Sequence, residues 1–165
     1  MVARSQGRPS EADRWVLLAH RLPREPSTPR IAVWRRLRRL GVAQLLDGLV
    51  ALPLDARNRE QLEWVADAVF ESGGQATIWV GRPASRTEER GIIGEMSSAI
   101  AAEYQRVIAD ARAARDADPA ARRRTLGRLR RELHRIRQRD HFPPPEAEHA
   151  RLAVESLATL EEVPT

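Results

Sequence analysis

The run Trp34-Arg35-Arg36-Leu37-Arg38-Arg39-Leu40-Gly41, followed by Asp47-Gly48 and then by Pro53, constrains the fold more than any other part of the chain. Ile31, Val33, Trp34, Leu37 and Leu40 fall on one arc at helical spacing and Arg35, Arg36 and Arg39 on the other, which predicts an amphipathic helix with separate burial and basic faces. Ser27 or Thr28 is placed to cap this helix. Gly41 is placed to end it, because glycine takes the left-handed conformation past a last turn without a Cβ penalty. Asp47-Gly48 supplies the positive φ angles of a tight turn, so 42–46 and 49–52 read as two antiparallel strands, the second closed by Pro53.

The flanking segments extend this pattern. The apolar run 15–22 reads as a strand that stops at Pro23, and Pro26 and Pro29 keep the next stretch extended. A second helix over about 57–72 turns Leu62, Val65, Ala66 and Val69 inward and ends at Gly73-Gly74. Residues 75–81, β-branched and aromatic, suit a fourth strand. The order β-α-β-β-α-β is that of the ferredoxin-like split arrangement, an α+β fold with two helices on one face of an antiparallel sheet. Trp15, Trp34, Trp64 and Trp79 all have apolar neighbours and are expected in the core, Trp34 above all.

The C-terminal half reads as helical. Ile93, Met96, Ile100, Tyr104, Val107 and Ala111 repeat at three- and four-residue steps, and Asp118-Pro119 is an N-cap followed by a first-turn proline, which predicts a helical hairpin. Its second arm places Leu126, Leu129, Leu133 and Ile136 on one side and Arg124, Arg128, Arg131, Arg135 and Arg139 on the other. After the break at Pro143-Pro144-Pro145, an acidic last helix over 146–161 offers Leu152, Val154, Leu157 and Leu160 for packing and carboxylates that can neutralise the arginine stripe. The organisation expected is a flexible N-terminal arm at 1–13, a ferredoxin-like domain at 14–84 and a helical extension at 85–165 packed on it.

Charge narrows the function. The net charge is +5 and the pI about 11.1. All 28 basic residues are arginines, which bind phosphate or carboxylate as a bidentate fork. They are concentrated: 21–39 carries seven arginines against Glu25, and 119–139 carries nine against Glu132, while the rest of the chain is net acidic. That asymmetry is the footprint of a polyanion binder, and a basic helix can equally serve an acidic protein partner. Cysteine is absent, which excludes disulfides and thiolate metal sites. Residues 1–14 lack the apolar run of a signal peptide and no later window reaches transmembrane length, so a cytoplasmic location is expected.

The chain resembles the N-terminal domain of the chromate-resistance regulator ChrB. The residues that carry the resemblance are Trp34-Arg35 in the first helix, Leu40-Gly41 at its end, Asp47-Gly48 with Leu52-Pro53, Gly73-Gly74 before a strand, and Arg139-Asp140 with Phe142-Pro143. Order and spacing agree over most of 15–160. The first helix and the hairpin are also similar to the C-terminal part of PaaX-type repressors, whose fold is likewise ferredoxin-like. Both resemblances imply transcriptional regulation. The chain departs from the family where Leu49-Val50-Ala51 and His141-Phe142 stand in place of aromatic-bearing segments. It also ends at Thr165, without the further C-terminal domain thought to sense chromate in full-length members, so DNA binding is what the resemblance carries over.

The reading that follows is a double-stranded DNA binder. Arg35, Arg36 and Arg39, with Arg30 and Arg38 at the flank, are expected to contact phosphates or guanine edges, and Arg124, Arg128, Arg131, Arg135 and Arg139 to follow the backbone. The competing reading makes the first helix an ordinary solvated face paired with Glu60 and Glu63. Single-stranded nucleic acid fits less well, because it calls for exposed aromatics and the tryptophans are expected in the core.

A metal-dependent nuclease of ferredoxin-like fold would need a carboxylate at the end of the first strand, where His20-Arg21 stands. His134, His141 and His149, with Asp140, Glu146 and Glu148, match no compact ligand spacing. No phosphate loop, nucleophile elbow or dinucleotide fingerprint occurs, so no cofactor and no enzymatic activity are expected. The remaining alternative is an interaction module for an acidic partner, such as a separately encoded sensor protein. A homodimer is expected by analogy and from the helical hairpin.

Overall fold

The computed structural model describes residues 14–162, and the N-terminal arm expected at 1–13 lies outside them. The chain divides into two compact units between Glu89 and Arg90. The first contains β1 (Trp15–Arg21), α1 (Ser27–Leu40), β2 (Ala43–Leu46), β3 (Leu49–Pro53), α2 (Ala56–Glu71) and β4 (Gln75–Gly81). The strands form one antiparallel sheet in the order β2-β3-β1-β4. The long β1 is central, with Leu17 opposite Ala51 on one side and opposite Trp79 on the other.

The side-chain period of two puts Val16 and Leu18 of β1, with Val50 and Leu52 of β3, on the face that the helices cover. Against them pack Val33 and Leu37 of α1 and Leu62, Val65, Ala66 and Val69 of α2. Each such large side chain taken out of water contributes about 1.5–3 kcal/mol, so this layer holds α1 in place. Gly41 ends α1 in the left-handed conformation at φ 69°. Asp55 caps α2 by accepting a 2.6 Å hydrogen bond from the Asn58 backbone N–H.

Several sequence expectations are corrected here. Neither Ser27 nor Thr28 caps α1: Ser27 is its first residue, Pro26 holds the cap position, and no side chain bonds the end. In the hairpin only Gly48 takes a positive φ, of 76°, and Asp47 does not. The pairing of β2 with β3 is irregular between Gln44 and Leu46, a place where the strand takes up the twist locally.

The tryptophans diverge most from expectation. Trp15 is buried, whereas Trp34 is 54% exposed, Trp64 47% and Trp79 62%. Only a narrow stripe of α1, centred on Val33 and Leu37, reaches the sheet. Trp34 lies about 60° around the helix beyond Leu37 and Ile31 about 120°, and both come out on the exposed side.

The second unit is helical: α3 (Arg86–Ala113, whose first turn belongs to the first unit), a 3-10 turn at Ala114–Asp116, α4 (Pro119–Gln138) and α5 (Pro145–Glu162). Its core joins Ile100, Tyr104, Val107 and Ala111 to Leu126, Leu129, Leu133 and Ile136 and to Ala150, Val154 and Leu157. Asp118 caps α4 through a 2.9 Å bond from the Ala121 N–H. Leu152 and Leu160, expected to pack, are exposed, because small alanines of α5 take the seam instead. No helix among the described residues is long and apolar enough to cross a membrane.

Candidate nucleic-acid interface

The chemistry-bearing residues of the first unit gather at the end of the sheet where β1 stops. The His20 N–H donates a 2.7 Å hydrogen bond to the Gly48 carbonyl, which draws the β2-β3 hairpin tip against the last residues of β1. Only glycine permits this approach, since a Cβ at position 48 would stand 2.4 Å from the His20 carbonyl oxygen. Gly74 is tied in the same way, its absent Cβ lying 2.5 Å from the Arg21 carbonyl oxygen. The first turns of α1 lie across from these two tight approaches, and between them opens a cleft of about 1300 Å³.

The cleft is strongly basic. Arg21, Arg24, Arg30 and Arg35 line it against a single acid, Asp47. Arg30 is steadied by a 3.3 Å bond from its Nη1 to the Arg24 carbonyl. His20 lies on the floor with a buried Nδ1 that has no hydrogen-bond partner. Burial holds its pKa below the usual imidazole value, with a backbone hydrogen bond at Leu18 acting the other way.

On α1 itself, Arg30, Trp34 and Arg38 succeed one another at four-residue steps along one exposed ridge, and the Arg38 guanidinium sits over the Trp34 ring at 5.0 Å. On the other side of the helix Arg36 lies over Trp64 of α2 at 5.8 Å from the ring centroid. Against the core positions expected from their apolar neighbours, both rings are exposed and stack with arginines as part of the basic surface. A signal was available in the sequence, because Trp34 lies four residues from both Arg30 and Arg38.

Among the described residues no carboxylate pairs with Arg30, Arg35, Arg36, Arg38 or Arg39. Glu63, a partner proposed for them, is taken by Arg59 at 2.9 Å. Uncompensated arginines around an open cleft raise the local concentration of anions.

The second arginine stripe behaves differently. Arg128 bridges Asp110 of α3 at 2.8 Å and Glu132 at 3.2 Å. Arg139, half-buried, pairs with Glu103. Arg124, Arg131 and Arg135 are exposed and have no carboxylate partner among the described residues. The expected continuous row is therefore broken. Its neutralising acids come from α3 and from α4 itself rather than from α5, where Glu148 and Glu155 pair with Arg151. His134 contacts Gln138, and among the described residues no three His, Asp or Glu side chains come together to hold a metal ion.

An α+β sheet domain with a basic, tryptophan-bearing helix beside an open cleft, joined in one chain to a helical unit, defines the general class of protein. The family model described as Protein ChrB, N-terminal, matches residues 30–118, more than half of the chain, and the chain belongs to that family. The match takes in α1, the hairpin, α2, β4 and α3, and stops short of Arg139-Asp140. A similarity to PaaX-type repressors is not shown. No curated protein and no solved structure matches the chain.

Proposed function

We propose that this member of the chromate-resistance regulator family is a non-enzymatic, DNA-binding transcriptional regulator that contacts duplex DNA through α1 and works as a homodimer in the cytoplasm. The observation that carries the reading is the exposed set Arg30, Arg35, Arg38 and Arg39, with the half-buried Arg36 beside it, which the protein leaves without carboxylates while it pairs Arg59, Arg128, Arg139 and Arg151 internally. An arginine array kept free of internal partners suits phosphates, whose neutralisation releases counterions and supplies most of the affinity. The fold reading is the ferredoxin-like one. β1 lies between β3 and β4, and β3 lies between β1 and β2, so each β-α-β segment straddles another strand, as the split arrangement requires.

The test is fluorescence anisotropy with the duplex upstream of the gene and a scrambled duplex, titrated over salt. The expected result is tighter binding to the native duplex and a log–log salt slope of about −4.5 if all five α1 arginines reach phosphates. Joint charge reversal by Arg35→Glu, Arg36→Glu and Arg39→Glu should abolish binding without lowering the melting temperature. Unchanged affinity in that variant, or no binding by the wild type at low salt, refutes the reading and points to an acidic protein partner.

A further inference from the structure

The cleft beside α1 is larger than the roughly 300–1,000 Å³ usual for a small-molecule pocket, at about 1300 Å³, and it is open to solvent. A lone oxyanion would leave most of it empty. Its lining combines guanidinium groups from Arg21, Arg24, Arg30 and Arg35, the His20 residue, and the indole of Trp34. The indole is 54% exposed although Arg38 already lies over its ring at 5.0 Å. The guanidinium covers one side of the ring and the residue still stays largely open to solvent.

Each part matches a different part of one ligand. Guanidinium forks take phosphates, and an exposed indole takes the π-face of a base. A base inside a duplex offers none of its π-face, because its neighbours cover it; only an unpaired or extruded base can stack on a side chain. We propose that the cleft is a nucleotide-binding pocket that receives an unpaired base on Trp34 and its flanking phosphates on Arg21, Arg24, Arg30 and Arg35. The DNA this protein prefers therefore contains an unpaired position. The inference rests on the nucleic-acid reading above and assigns to the same face a substrate class that duplex binding alone does not require.

The experiment compares the full chain on three labelled oligonucleotides of one sequence: the duplex, the duplex with one unopposed base, and the single strand. Binding to an unpaired form should exceed duplex binding by roughly tenfold, the scale of one base stacked on an aromatic ring, and should quench tryptophan emission. Trp34→Ala should lower affinity for the unpaired forms by more than it lowers duplex affinity, erasing that advantage and the added quenching while the melting temperature holds, and Trp34→Phe should keep part of the advantage. The two unpaired forms distinguish an extruded base from a free strand, and a gain on either supports the pocket. Equal affinity for all three, or a Trp34→Ala loss that is the same on all three, overturns the inference while leaving duplex binding intact. Failure to bind any of them overturns the regulator reading as well.

Discussion

The Tyr104 hydroxyl of α3 donates a 2.8 Å hydrogen bond to Oδ2 of Asp140, just past the end of α4, and the preceding residues of each segment, Glu103 and Arg139, form an ion pair beside it. The two contacts give physical content to Arg139-Asp140: they clamp the C-terminal end of α4 to the middle of α3. Tyr104→Phe removes the donor and leaves Asp140 partly buried with one partner fewer, which should cost about 1–2 kcal/mol in denaturant unfolding.

The same residue carries a pH signature. Burial first, and then the hydrogen bond and negative charge of Asp140, raise the Tyr104 pKa above its ordinary value of about 10. A group whose folded pKa is raised contributes stability that is complete below the unfolded pKa and is lost as pH climbs toward the folded one. Stability should therefore fall as pH rises beyond about 10. Tyr104 is the chain's one tyrosine, so tyrosinate absorbance reports it alone. That absorbance should appear together with alkaline unfolding rather than before it, and a titration at the ordinary pKa in the folded protein would refute the burial argument.

The glycines around the cleft should rank by geometry. Gly48→Ala meets both a positive φ of 76° and a carbonyl oxygen at 2.4 Å, and Gly74→Ala meets backbone oxygen at 2.5 Å and a Val69 methyl at 2.7 Å. Gly73→Ala has the same φ of 76° but open space. Gly73→Ala should cost about 1 kcal/mol from the backbone conformation alone, with the other two costing more, about 2–4 kcal/mol. Thermal unfolding of the three variants checks the order, and an equal cost at 48 and 73 would show that the hairpin tip is not held against β1.

What was legible in the sequence follows from which signals are local. β4 at 75–81, the inward residues Leu62, Val65, Ala66 and Val69, and the Asp118 cap all rest on period or on turn chemistry, and they stand as expected. Trp34, Trp64 and Trp79 depart from the expected core positions because an apolar side chain is not thereby a buried one. How much of a helix reaches a sheet is set by the partner's width, which one sequence does not display, and α1 gives it Val33 and Leu37 with Leu40 partly buried beside them. The cleft was illegible for a related reason. Arg21, Arg30, Asp47 and Gly74 are far apart in the chain, and only strand pairing brings their segments to one end of the sheet.

The two halves of the α4 arginine stripe should separate in function. Arg139 is mostly out of solvent beside Glu103, with side-chain exposures of 23% and 29%, so Arg139→Ala strands a carboxylate and should cost about 1–3 kcal/mol. Arg128 and Asp110 are about half exposed, and water and salt screen that pair, so Arg128→Ala should cost about 1 kcal/mol or less. Arg124, Arg131 and Arg135 form no ion pair among the described residues, and replacing them with alanine should stay within about 0.5 kcal/mol of wild type. If α4 follows a DNA backbone, each of these three substitutions should make the salt slope shallower by about 1, and Arg139→Ala should lower the melting temperature while leaving the slope as it was. A slope unchanged by all three would remove this face of α4 from the nucleic-acid contact, because those three guanidinium groups are the members of the stripe that no carboxylate holds in an ion pair among the described residues.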